Sequence, residues 1–121
     1  GFGLWAVHLR ATGELLGDCG ITMQQIHGQR LPEIGFHMKK SVWGQGYATE
    51  AAKACLAWGM QQTDFPAFYC YQKSTNLPSR RVAEKLGMTL QETYADPVNT
   101  VTSVYAITRT KFFARAQNAL R

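Results

Sequence analysis

The chain has 121 residues and a formal net charge of +5, with 45% hydrophobic, 12% aromatic and 17% charged residues. That size holds one domain with one core, and this balance of apolar to charged residues excludes a disordered chain. No apolar run approaches the ~20 residues of a membrane span, and Gly1-Phe2-Gly3-Leu4-Trp5 lacks the basic start and apolar stretch of a signal peptide.

The first residue is not Met, which points to a processed, cut or truncated chain. Cys19, Cys55 and Cys70 are odd in number and widely spaced, with no CxxC pair or histidine cluster beside them. They are expected to be buried thiols in a reducing, cytoplasmic setting rather than a disulfide framework or a metal site. The 13 Lys and Arg against 8 Asp and Glu suit an anionic partner. Charge alone leaves nucleic acid and a phosphate-rich small molecule both open.

Residues 4–10 alternate apolar and polar, with Trp5, Val7 and Leu9 on one face, and run into the turn Ala11-Thr12-Gly13. A second strand is predicted over 14–23, where Gly17 and Gly20 mark a bulge or a close backbone approach. The turn His27-Gly28-Gln29-Arg30 and then Pro32 precede a third strand over 33–39. Links this short make the three an antiparallel meander. The period then changes. Ala48, Ala51, Ala52, Cys55, Leu56 and Gly59 fall on one helical stripe, giving a helix that ends near Met60. Phe65-Pro66 opens a strand over 67–71. A second helix lies between Asn76 as its N-cap and Gly87 past its end, with Pro78 tolerated in the first turn. Strands over 89–94 and 102–111 follow, separated by a loop with Asp96-Pro97, and in the tail Phe112, Phe113 and Leu120 are candidates for packing or association. The order is β-β-β-α-β-α-β-β, and the crossover around the first helix demands one parallel strand pair. The fold class is therefore α+β, with two helices on a mixed, mostly antiparallel sheet.

Chemistry concentrates between the third strand and the first helix, in Val42-Trp43-Gly44-Gln45-Gly46-Tyr47-Ala48-Thr49-Glu50. Small residues at 44, 46 and 48 leave the main chain uncovered where the helix begins. Free N–H groups at the positive end of a helix dipole favour an anion there. No Gly-Lys-Ser/Thr follows, so this is no Walker loop, and Thr49 in place of a third glycine excludes a dinucleotide fingerprint. Taken alone, the segment reads equally as a tight glycine turn without a ligand. The second informative segment is Asn76-Leu77-Pro78-Ser79-Arg80-Arg81-Val82-Ala83-Glu84-Lys85-Leu86-Gly87-Met88.

Together, at this spacing and in this strand order, the two segments resemble the GNAT acetyltransferases over residues 5–108. Within that superfamily they are similar to the branch that includes the RimJ/RimL-type ribosomal-protein N-terminal acetyltransferases. The resemblance implies a GNAT fold whose parallel strand pair splays into a V-shaped slot. It also implies direct attack of a primary amine on the thioester of acetyl-CoA, without a metal. The pyrophosphate would rest on Gly44, Gln45, Gly46, Tyr47, Ala48 and Thr49. Gly46 and Ala48 match the family pattern, whereas Trp43 stands where Arg or Gln is usual. Asn76 would meet the pantetheine or phosphate region, or serve only as an N-cap. Arg80 and Arg81 would bring charge toward the 3′-phosphate, or form a solvated helix face. Main-chain groups of Phe36, His37 and Met38 would pair with the pantetheine amides.

For catalysis, Glu33 resembles the general-base glutamate of the histone-acetylating members, with an exposed strand-end carboxylate as the alternative. His37, on the same strand face, is the second candidate base, although a structural histidine fits there too. An amine of pKa ~10.4 costs about 4.6 kcal/mol to deprotonate at pH 7 and an α-amine near ~7.8 only about 1, so an α-amine acceptor needs a weaker base. Many members carry a Tyr seven positions after the helix-opening Asn, where this chain has Ala83. Ser79 resembles the serine that RimL-like members place near the sulfur.

A strand and usually two helices precede the position of Trp5 in the family. Either this chain is cut, or a neighbouring subunit closes the slot, or a short variant binds CoA without turnover. An open sheet edge favours a homodimer. Three function classes stand: an N-acetyltransferase acting on an α-amine or a small-molecule amine, a CoA-binding regulatory protein, and a nucleic-acid-binding module. The last is disfavoured because the basic residues are scattered and no recognition motif is present. The positive chain disfavours polycationic acceptors unless an acidic patch around Glu92 and Asp96 overrides it.

Overall fold

Alternating apolar residues build a meander first: β1 (Gly3–His8), β2 (Leu15–Ile26) and β3 (Gln29–Met38), paired antiparallel. The computed structural model describes residues 3–119. The β1–β2 register shifts between Val7 and His8, opposite Gly17. A Cβ on Gly20 would fall 1.9 Å from the Gly3 carbonyl oxygen, so the two glycines mark the bulge and the close approach that were expected. The β2–β3 turn is tighter than its sequence suggests. His27 (φ 48°) and Gly28 (φ 81°) form it alone, both left-handed as a two-residue hairpin turn requires. Pro32 therefore sits inside β3, opposite Met23, rather than before it.

A 3-10 turn (Lys40–Val42) leads to α1 (Tyr47–Gln62), followed by β4 (Ala67–Lys73), α2 (Leu77–Lys85), β5 (Thr89–Asp96), β6 (Thr100–Thr108) and α3 (Arg109–Ala119). The sheet order is β1-β2-β3-β4-β6-β5. Every neighbouring pair is antiparallel except β3 with β4. The α+β class and mixed sheet are as expected, and α3 is added to them. Residues 109–111, expected to end the last strand, start this helix instead. Arg109 explains the change of direction. Its guanidinium donates to the carbonyls of Thr63 (2.8 Å), Phe65 (3.3 Å) and Met60, satisfying the C-terminal end of α1. Phe112 packs against the core, Phe113 stays exposed, and Leu120 lies outside the described residues.

The core fills one side of the sheet. Ile21, Ile34, Phe68, Tyr105 and Ile107 meet Ala52, Cys55, Leu56 and Met60 of α1, Ala83 of α2 and the α2 C-cap Leu86. Gly59 lets α1 lie close, since a Cβ there would come 2.7 Å from the Phe68 ring and 2.8 Å from Ile21 Cδ1. All three cysteines are buried and free, with the Cys19 and Cys55 sulfurs 3.4 Å apart.

The opposite side is covered differently. The tip of the β2–β3 hairpin curls past β4 and β6 to reach β5 at the far edge. There His27 stacks on Tyr94, with ring centroids 4.3 Å apart and planes 5° apart. Its main-chain N–H donates to the Tyr94 hydroxyl (3.3 Å), and its ring pairs with the Glu92 carboxylate. The feature that positions the site is the β3–β4 junction. These strands pair only at Glu33 with Tyr69, and beyond that point they part.

Candidate active site

On the helix side of the parting strands, a cleft of about 550 Å³ opens between the end of β3, the glycine loop and the first turns of α1 and α2. Phe36, His37, Met38, Gly44, Gly46, Tyr47, Ala48, Thr49, Asn76, Ser79 and Arg81 all border it, so the structure brings most of the expected residues together. Gln45 does not; its amide nitrogen donates to the Ser41 carbonyl (3.4 Å). Glu33 does not border it either.

The loop has the geometry of an uncapped helix start. Gly46 is the N-cap of α1 at φ 85°, ψ −1°, and no side chain caps the helix. The first helical bond runs from the Glu50 N–H to the Gly46 carbonyl (3.0 Å). The amides of Tyr47, Ala48 and Thr49 are thus left without an acceptor inside the helix. Gly44 is also left-handed (φ 80°), and a Cβ at either glycine would meet nothing within 4 Å.

Asn76 caps α2, its Oδ1 accepting from the Ser79 N–H (3.3 Å), while the residue also borders the cleft. Asn76→Ala is expected to cost about 1 kcal/mol of stability in urea melts, and Asn76→Asp, which keeps the acceptor, to restore most of it. The two arginines separate. Arg80 turns inward, donating to the Tyr105 hydroxyl (3.0 Å) and the Ser74 carbonyl (3.0 Å), so it is not a cleft cation. Arg81 borders the cleft together with Lys85. None of the bordering residues is acidic. Two helix N-termini and two cations therefore face the same space, a field that favours a polyanion.

Sequence reasoning missed Val42, Trp43, Pro78, Val82 and Lys85 as cleft residues. Helical spacing along α2 from Pro78 through Val82 to Lys85 was the available signal for three of them. Trp43 has a signal of its own, its place in the family's Arg/Gln position of the loop, and a contact fixes it there: its indole N–H donates to the Met38 carbonyl (2.8 Å). That bond occupies one of the main-chain groups expected for pantetheine.

Glu33 lies on the other face of β3. Ile34, Phe36 and Met38 pack toward the helices, so Glu33, Gly35 and His37 alternate away from them. The Glu33 carboxylate covers Gly35 and accepts from the Tyr71 N–H of β4 (3.4 Å), an amide released where the strands part. It is no exposed strand-end carboxylate. Burial pushes its pKa up from 4.5 to about 7, and the Tyr71 amide lowers it by less. Beside it, the Tyr71 hydroxyl donates to Gln24 Oε1 (3.3 Å), and burial followed by the charge of Glu33 pushes its pKa up. His37 stays exposed, its ring bonded to the Asp18 carboxylate (2.8 Å).

A family model described as an acetyltransferase (GNAT) domain matches residues 1–89. The chain belongs to the GNAT acetyltransferase family. Similar proteins include YkkB of Bacillus subtilis (strain 168), an uncharacterized protein 44% identical over 93 residues, which are 77% of this chain and 54% of YkkB. Among solved structures, an acetyltransferase from Agrobacterium tumefaciens str. C58 is 29% identical with a TM-score of 0.73, covering 88% of this chain and 60% of that one. The ribosomal L7/L12 α-N-protein acetyltransferase RimL, solved with coenzyme A, shares the fold at 20% identity and a TM-score of 0.67, over 79% of this chain and 56% of that one. RimL is one of several GNAT neighbours. The chain spans about half the length of the curated relatives it matches.

GNAT proteins use acetyl-CoA, and the cleft of this GNAT domain fits its diphosphate. The fit rests on the uncapped amides of Tyr47, Ala48 and Thr49, the two open glycines and the cations Arg81 and Lys85. Among the described residues, no group of three or more His, Cys, Asp or Glu could hold a metal ion, and no helix is long and apolar enough to cross a membrane.

Proposed function

We propose that this GNAT domain moves an acetyl group from acetyl-CoA to a primary amine, with a protein or peptide α-amine or a small-molecule amine as acceptor. The observation that carries the reading is the single-residue pairing of β3 and β4. It opens the cleft on the helix side directly beside Glu33 on the other side. Donor and acceptor thus have separate approaches to one gap. Bound acetyl-CoA supplies an activated thioester carbonyl; everything else is the work of the chain.

The amides of residues 47–49, with Arg81 and Lys85, bind the diphosphate, each charge-assisted bond being worth about 1.5–3 kcal/mol. The edge of β3 at residues 36–38, apart from the Met38 carbonyl that Trp43 occupies, holds the pantetheine arm. Ser79, half-buried on the cleft wall, orients or donates to the sulfur. Ala83 is fully buried and has no hydroxyl, so it gives no acid assistance. Glu33 accepts the amine's proton, directly or through water. With a pKa of about 7 it is a stronger base than an ordinary carboxylate and still partly ionised at neutral pH. Trp43 in the Arg/Gln position and Ser79, both resembling RimL-like members, support placing this chain near the RimJ/RimL branch.

Thiol release from acetyl-CoA, measured against α-amine peptides, free amino acids, aminoglycosides and polyamines, tests the reading. Amine-dependent release is the expected result. Calorimetric binding of acetyl-CoA without release for any amine would turn the conclusion to a CoA-binding regulatory protein.

A further inference from the structure

Behind the cleft lies a polar site that nothing among the described residues satisfies. Gln72 of β4 is 6% exposed, and neither its carboxamide nitrogen nor its oxygen has a hydrogen-bond partner. Ser103 of β6, its cross-strand neighbour, is fully buried at 0%, and its hydroxyl is unpartnered too. Buried polar atoms are almost always paired, so three orphans at adjacent positions call for a partner outside the chain.

Their location says which. β3 and β4 align at Glu33 with Tyr69, and carrying that parallel register onward sets Phe36 level with Gln72. Gln72 shares the helix-facing side of β4 with Phe68 and Cys70 of the core, and Phe36 packs on that core while bordering the cleft. One step nearer the vertex, the Cys70 thiol already donates to the Ile34 carbonyl (3.3 Å), which closes the slot. On that register the carboxamide lies one step beyond the closure, behind the cleft wall; neither Gln72 nor Ser103 borders the open cleft itself.

We propose that Gln72 is the acyl-binding residue of the slot: its carboxamide N–H donates to the thioester carbonyl oxygen of a bound acyl-CoA, and the Ser103 hydroxyl sits against the same group. This rests on the acyl-CoA reading above. A neutral amide supplies the donor without placing a charge in a buried site. The bond exists only while the acyl group is present, so Gln72 makes the slot prefer acetyl-CoA over CoA and favours release of the spent product.

The test is calorimetry with CoA and acetyl-CoA on the wild type, Gln72→Met and Gln72→Leu, each first checked by a thermal melt. Wild type is expected to bind acetyl-CoA roughly threefold to tenfold more tightly than CoA, the worth of one neutral hydrogen bond. In the variants that preference should fall to about one, with CoA affinity within about twofold of wild type and melting points no lower, because an unpaired buried amide has been removed. An unchanged preference in either folded variant overturns the proposal, as does equal loss of both ligands, or unfolding of both variants. CoA binding with an unchanged preference removes Gln72 alone. A wild type that binds neither ligand removes the acyl-CoA reading with it.

Discussion

Gly46→Glu is expected to abolish measurable acetyl-CoA binding in calorimetry. The substitution places a carboxylate at the N-cap of α1, among the uncapped amides of Tyr47, Ala48 and Thr49. Losing two N–H bonds to charged oxygens removes about 3–6 kcal/mol, roughly 10²–10⁴-fold in affinity, before any repulsion between like charges is added. The helix dipole works the other way on stability. A negative group at a helix start is worth about 0.3–1 kcal/mol, which offsets part of the roughly 1–2 kcal/mol cost of a side chain on left-handed backbone. The variant should therefore melt close to wild type, so lost binding will not reflect lost fold. Gly46→Ala, which carries the backbone cost without the charge, should keep most of the affinity. Equal affinities for wild type and Gly46→Glu would remove the anion cradle from the account.

Glu33→Gln is expected to lower kcat by about 10²–10⁴-fold, the usual contribution of a positioned general base. Acetyl-CoA affinity should hold, because Glu33 lies across β3 from the cleft. The wild-type rate should climb with pH through about 7 as the carboxyl loses its proton, and the variant should lack that limb. Stability moves in the opposite sense. The folded pKa is raised above the ordinary 4.5, so the neutral carboxyl is favoured by the fold. Its contribution is fully present below 4.5 and is lost as pH rises through about 7. The loss on the alkaline side is on the order of 3 kcal/mol. Glu33→Gln should therefore be the more stable protein at about pH 8 and lose this advantage at about pH 4. A variant with wild-type kcat and an unaltered pH profile would remove Glu33 from catalysis.

The elements that were legible carry their own punctuation. The stripe from Ala48 to Gly59 and the Asn76 and Gly87 bounds mark α1 and α2 because a helix repeats and caps locally. The hairpin turn was read two residues too long because its tight form needs His27 in left-handed backbone, which no Asn-Gly signal announces. The third helix was hidden because Arg109 matters through carbonyls 44 to 49 residues away. In the site, the glycine loop was readable since small residues and positive φ belong to local chemistry. The opposite fates of Arg80 and Arg81 depend on which side of α2 meets Tyr105, and the orphaned state of Gln72 exists only in three dimensions.

The lone rung between β3 and β4 divides the sheet into two three-stranded panels, β1-β2-β3 and β4-β6-β5. The first panel carries α1, on β2 and β3, and the second carries α2, on β4 and β6, together with α3 on β6, while α1 also reaches Phe68 of β4. Backbone along the seam is unzipped, so a guest laying amides into it acts as a seventh strand for part of its length. Stiffness across the molecule then becomes a property of the loaded form. Amide protons on both panels should exchange together when the seam is filled and as separate blocks when it is not.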